Sequence, residues 1–201
     1  METAGLYFYF LGWIGWIIIT FFFPKSSVRT FLSILLLLVM AGSATYMNLF
    51  GFNVNIAFIF LVFTAIILLA KTMKQKYFLH YFSICTLSLA YVCFVIFEIY
   101  DPVWIILDRM WMLSFILLYL SLLLFKTKWE RFVFMLTGVL QGEILNSMVL
   151  NSVFSYSVIG SYEFLAVLFL TSAGLGTWMI FETVTIYLDS VIQKRVRERQ
   201  G

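Results

Sequence analysis

In a chain that is 63% apolar and 11% charged, the residues able to do chemistry are the polar side chains inside long apolar runs. An ionisable group in hydrocarbon is costly and needs a partner or a role. Three regions hold such groups: Asp108 and Arg109 in the run 103–125, Gln141, Glu143 and Asn146 in 132–150, and Glu182 in 163–188. Counted from the outer end of each run at 1.5 Å per residue, Arg109 lies about 9 Å deep and Glu143 about 10 Å deep. The two runs are joined by the short loop 126–131 and should be antiparallel neighbours, so matching depth predicts an Arg109–Glu143 ion pair. Asn146 and Ser147 follow Glu143 by three and four residues, share its helical face and are expected to complete its hydrogen bonds. Asp108 points about 100° away from Arg109, toward an outer vestibule with Glu98 and Asp101. Such a cluster serves either to fix which helix faces pack together or to bind a solute or conduct a proton, and the structural use is favoured. Glu182, about 9 Å from the opposite end of its run, is a second candidate, able to hydrogen-bond near the interface or to snorkel outward. His80 lies within about one turn of the same level, and a lone histidine there reads as an interfacial hydrogen-bonding residue rather than a pH switch or ligand.

Enzyme signatures are missing where a membrane enzyme would carry them. There is no HExxH, His80 has no nucleophilic serine motif at a recognisable spacing, and no apolar run contains a lysine, which argues against a retinal Schiff base. Cys85 and Cys93, eight apart in one run, would lie about 12 Å apart on a helix, beyond disulfide reach. With no CxxC pair and one histidine in the chain, a metal site is not expected. No catalytic residue, cofactor or metal is therefore assigned.

The elements that must position these residues follow from composition. A soluble domain is about 45–50% apolar and roughly 25% charged, so this chain is not one. Its runs 5–23, 30–49, 54–70, 77–97, 103–125, 132–150 and 163–188 match a hydrocarbon core of about 30 Å when wound as helices. They are too long, and too little alternating, to be barrel strands. The expected fold is an all-α bundle of seven transmembrane helices, occupying residues 1–188, with a basic tail 189–201. No Lys or Arg precedes the first run, so it lacks the basic region of a signal peptide and is expected to stay as a helix.

Charge placement orients the bundle. Of the 13 Lys and Arg, all but Arg109 lie after odd-numbered runs: Lys25 and Arg29, then Lys71, Lys74 and Lys76, then Lys126, Lys128 and Arg131, then Lys194, Arg195, Arg197 and Arg199. Seven spans put all twelve on one side, which the positive-inside rule makes the cytoplasm, and leave Glu2, Glu98, Asp101 and Glu163 outside. The N-terminus is thus expected outside and the C-terminus inside. The tail should continue the last helix briefly and then fray, its basic residues attracting anionic headgroups. Pro24 and Pro102 fall at run ends, where they cost little. Trp13, Trp16, Trp104, Trp111, Trp129 and Trp178 include several near interfaces, as an aromatic belt would place them. Gly138 and Gly142 form a small-xxx-small pair for close helix packing, and Gly174, Gly176 and Thr177 lighten the last span. No internal repeat suggests a transporter built from paired halves. The basic residues sit in short loops and match no nucleic-acid motif.

Gly5, Tyr7, Phe8 and Tyr9, followed by Trp13, Trp16, Thr20 and Phe21 to Phe23, resemble the start of the YphA-like membrane proteins of spore-forming Gram-positive bacteria. The resemblance extends to size and span layout. It implies a bacterial cell-envelope location and a link to sporulation, with no established activity and no catalytic residue to map.

These observations favour a non-catalytic scaffold or assembly factor of the bacterial cell membrane, partnered by lipid and by another membrane protein or a second copy. The alternative is a small transporter or sensor that binds a solute or proton at the Arg109 and Glu143 cluster. The two part on whether those residues line a water-accessible cavity or are sealed in the bundle.

Overall fold

The computed structural model describes residues 2–72, 77–101, 103 and 107–200. Lys74, Lys76, Pro102 and Trp104 lie outside the described residues, as do the side chains of Glu2, Lys194, Arg195, Arg197 and Arg199. Seven α-helices are present among the described residues: α1 (Glu2–Phe22), α2 (Ser27–Gly42), α3 (Ile56–Thr72), α4 (Tyr77–Tyr100), α5 (Arg109–Leu124), α6 (Lys128–Phe154) and α7 (Tyr162–Gln200). Four are long and apolar enough to cross a membrane, over Thr3–Phe22, His80–Tyr100, Lys128–Phe154 and Tyr162–Gln193, while α2, α3 and α5 are shorter apolar helices. With 16, 17 and 16 residues, those three span about 24–26 Å at 1.5 Å per residue, just under the hydrocarbon thickness.

Local chemistry sets the ends. Ser26, Asp108 and Thr127 cap α2, α5 and α6, their side chains accepting the N–H of Arg29, Met110 and Glu130, which satisfies donors that helix geometry leaves open. Helix α6 stops at Ser155, whose left-handed backbone (φ 55°) sends its N–H back to Asn151 O.

Contacts fix the direction of every helix. Arg109, Ser114 and Leu118 of α5 meet Glu163, Val167 and Gly174 of α7 in the same order. Leu87 and Tyr91 of α4 meet Gly138 and Gly142 of α6 likewise. Tyr9 of α1 bonds Ser43 just past α2 while Thr20 bonds Ser33, so α1 and α2 run opposite ways. Sequence neighbours are antiparallel, and every second helix is parallel. One end of the bundle therefore gathers Lys25, Arg29, Lys71, Lys126 and Lys128, and the other gathers Glu98, Asp101 and Glu163.

The glycine pair of α6 sets the closest helix contact. A Cβ on Gly138 would lie 2.8 Å from Leu87 Cβ, and one on Gly142 would lie 3.0 Å from Tyr91 Cβ, so the missing side chains are what allow α4 and α6 to touch. In lipid this close approach, rather than removal of apolar surface from water, drives helix association. Gly174 likewise meets Leu118 of α5, whereas Gly176 faces open space. Cys85 and Cys93 are both free thiols.

The expectation of an all-α chain needs correction. At the acidic end a three-stranded sheet is built from β1 (Tyr46–Leu49), β2 (Phe52–Asn55) and β3 (Val158–Ile159), in that order. Strands β1 and β2 form a hairpin closed by Phe50 and Gly51, both at positive φ (52° and 85°), the mirror-image turn whose twist matches paired strands. Strand β3 joins β2 in parallel, with Val54 opposite Ile159. Asn55, fully buried, donates to Ser43 O and accepts from Ala57 N–H, capping α3 and tying the hairpin to α2. The second run was expected to reach residue 49, but α2 ends at Gly42 and its last residues become strand. Apolarity alone does not distinguish the two, because Tyr46 to Asn55 is apolar enough to extend a helix and also alternates as a strand does. At the other extreme, α7 continues as helix to Gln200 instead of fraying early.

Candidate functional site

The acidic end of the bundle is where the charged groups meet. Helix α5 starts at Arg109 because Asp108, directly before it, turns its carboxylate onto the Met110 N–H (3.0 Å). Asp108 is therefore a helix cap rather than a wall of a vestibule, and Arg109 lies in the first helical turn instead of six residues down a span. From there its guanidinium reaches two neighbouring helices, Nε at 2.9 Å from Glu98 Oε2 on α4 and Nη1 at 3.0 Å from Glu163 Oε2 on α7. One guanidinium thus ties three helix ends, hydrogen-bonded to Glu163 and ion-paired with Glu98, whose Oε2 accepts no hydrogen bond.

Glu143 lies deeper and is 4% exposed. Its partners are not those expected. The Tyr91 hydroxyl donates to Oε2 at 2.7 Å and the Gly160 N–H donates to Oε1 at 3.0 Å. The Arg109–Glu143 ion pair is corrected to two separate units: Arg109 has nearer carboxylates at its own level, and Glu143 is satisfied by neutral donors. Nor do Asn146 and Ser147 complete the hydrogen bonds of Glu143. Ser147 donates to Val158 O, fastening α6 to β3. Asn146, 5% exposed, keeps a buried Oδ1 with no hydrogen-bond partner.

Arg109, Glu143 and Asn146 nonetheless share one cavity of ≈ 600 Å³, with Tyr91, Glu98 and Glu163 among its polar walls and Val95, Met110, Leu113, Leu150, Phe164 and Val167 among its apolar ones. A second recess of ≈ 380 Å³ adjoins it at Tyr156, Ser161 and Glu163 and continues to Tyr46 and Asn53 of the hairpin. Tyr156 stands where the two meet. Its burial, followed by the charges of Glu143 and Glu163, pushes its hydroxyl above the usual tyrosine range, so it remains a protonated donor.

Glu182, the second candidate, is 3.2 Å from Arg131 Nη1 at the basic end, and Arg131 Nε also donates to Phe125 O at 2.8 Å. Arg131 was read as a loop charge, but it turns inward from the first turns of α6 and is 9% exposed. His80 stacks on Phe134, ring centres 4.8 Å apart. No group of three or more His, Cys, Asp or Glu among the described residues could hold a metal ion.

Two residues of the site escaped sequence reasoning. Tyr91 is an aromatic in an apolar run, and only the glycine opposite it shows that it faces α6. Gly160 carries a faint signal, a glycine between a β-branched pair and the next helix. Its φ of 77° and the Phe58 Cβ that a side chain would meet at 2.7 Å explain why glycine stands there.

The family model described as YphA-like integral membrane protein matches residues 4–201, nearly the whole chain. The chain belongs to the YphA-like integral membrane protein family. It is also similar to a protein of Bacillus subtilis (strain 168) described as uncharacterized protein YphA, 26% identical over 159 residues that make up 79% of each chain. No solved structure matches. This YphA-like chain is thus an integral membrane protein, and the aromatic first span that carried the resemblance lies inside the matched region. The match brings no residue roles, so the site rests on geometry alone.

Proposed function

We propose that this YphA-like protein is a seven-span protein of the bacterial cell membrane, N-terminus outside and C-terminus in the cytoplasm, that binds a small solute in its outer-end cavity as a transporter or sensor. The observation that carries the binding reading is that Arg109, Glu143 and Asn146, polar residues drawn from two apolar runs, line the same ≈ 600 Å³ space. That volume falls in the range of about 300–1,000 Å³ typical of small-molecule sites, with mostly apolar walls and a few convergent polar groups. The orientation is supported by the basic residues at the far end of the bundle. The scaffold reading has no comparable feature, since the exposed apolar faces of α1 and α7 are what lipid contact alone requires. No residue or contact carries the link to sporulation.

The test is access. In a chain with Cys85 and Cys93 replaced by serine, Leu150→Cys would put a thiol on the half-buried part of the cavity wall, and Phe50→Cys would put one at the fully exposed hairpin tip. A membrane-impermeant thiol reagent applied to intact cells is expected to label both. Labelling at position 50 but not at 150 would mean a sealed, structural cluster and would return the scaffold reading. No labelling at 50, in a chain labelled after lysis, would overturn the orientation.

A further inference from the structure

We infer that the solute taken by this cavity is a small organic cation, a protonated amine on an apolar body, whose ammonium group sits between Asn146 Oδ1 and the Glu143 carboxylate. The inference rests on the solute-binding reading and adds its charge and chemical class. Among the described residues the cavity carries three carboxylates, Glu98, Glu143 and Glu163, against one guanidinium, Arg109. That guanidinium is already paired with Glu98 and Glu163, so its charge is more than balanced within the cavity. Glu143 receives neutral donors, among them the Tyr91 hydroxyl and the Gly160 N–H, while a carboxylate offers about four acceptor positions, and no cation among the described residues bonds it. A buried carboxylate holds its charge only beside a counter-charge, and an ammonium entering the cavity supplies one.

Asn146 is the independent observation. Its Oδ1 is buried and has no donor, on a residue that lines the same cavity, although buried polar atoms are nearly always hydrogen-bonded. It asks for an N–H or O–H, and it stands one helical turn beyond Glu143. An ammonium supplies three donors and a positive charge at once. A bare metal ion fits poorly, because no group of three metal-ligating side chains converges among the described residues and the space is far larger than an ion. The remaining walls suit an apolar body, and the Tyr91 and Phe164 rings, 6.4 Å apart, offer faces and edges of the kind that attract cations.

The experiment uses the full chain in mild detergent, followed by intrinsic tryptophan fluorescence on heating, and the Leu150→Cys chain in cells. The probes are phenethylamine and hexylamine, their neutral partners 2-phenylethanol and hexanol, the anion 3-phenylpropionate, and sodium chloride at equal ionic strength. The amines are expected to raise the unfolding temperature and slow labelling at position 150, and the neutral, anionic and salt probes to do neither. Glu143→Gln and Asn146→Leu should each weaken the amine effect about tenfold, the loss of one charge-assisted hydrogen bond. Equal protection by the alcohols would overturn the charge assignment, and stronger protection by 3-phenylpropionate would make Arg109 an anion site instead. Free labelling of position 150 that no amine slows would sink the cation while leaving the cavity standing. An unlabelled position 150 would remove both readings together.

Discussion

Arg109 and Glu143 lie in one cavity but answer to different partners, and mutant cycles can show it. Arg109→Met combined with Glu98→Gln should be non-additive by up to about 1 kcal/mol, the size measured for partly exposed ion pairs, because the pair sits at 2.9 Å. The same cycle with Glu143→Gln should give a smaller coupling, read as thermal stability in detergent. A larger coupling to Glu143 would restore the direct pair. Tyr91→Phe keeps the ring against α6 and removes one of the two donors to Glu143. It should lower stability by about 1–3 kcal/mol, the cost of an unsatisfied buried acceptor. Gly160→Ala should be at least as harmful, since the added Cβ meets Phe58 and displaces the other donor. A neutral Gly160→Ala would mean that its positive φ is not needed to aim the N–H.

At the scale of elements, the α4–α6 contact is the most constrained by side-chain size. Gly138→Ala places a methyl 2.8 Å from Leu87 Cβ and 3.2 Å from Ile84 O, so the helices must part. Overpacking of this kind costs about 1–3 kcal/mol, more than the roughly 1 kcal/mol that alanine gains over glycine in helix propensity. Gly176→Ala meets nothing within 4 Å and should be neutral or slightly stabilising. Unfolding temperatures of the two variants in one detergent would decide the point, and equal shifts would show that α4 and α6 do not pack as described. The hairpin belongs to this scale too. It takes over from the short helices α2 and α3 at the acidic end, where Asn55 and Ser43 satisfy backbone groups that lipid cannot.

For the whole molecule, the prediction is topology. A reporter fused after Arg199 should be cytoplasmic, and reporters inserted near Gly51 or Ser157, both at the sheet end, should be external. An external C-terminal reporter would contradict the seven-span orientation. Removing Arg197 to Gly201 should leave insertion intact, since the membrane-competent segment of α7 ends at Gln193. Loss of protein from the membrane fraction would instead give the tail a role in assembly.

What the sequence determined by itself was the membrane class of structure and the end of the bundle at which the described loop charges fall. Apolar runs of sufficient length have one way to satisfy their backbone in lipid, and basic residues recurring after every second run divide a chain into two ends whatever the packing. It also marked the glycine pair of α6, because spacing by four puts both on one helical face. Pairing could not be read in the same way. Depth along a helix is fixed by counting from its end, and the end of α5 depended on Asp108 acting as a cap, which moved Arg109 up to Glu98 and Glu163. The partners of Glu143 came from residues 52 positions before it and 17 after it, Tyr91 and Gly160. Such contacts depend on how helices rotate and approach, and that is set by the summed packing of many side chains rather than by any local pattern. Only the tertiary structure could decide that the polar residues surround a space instead of closing on one another.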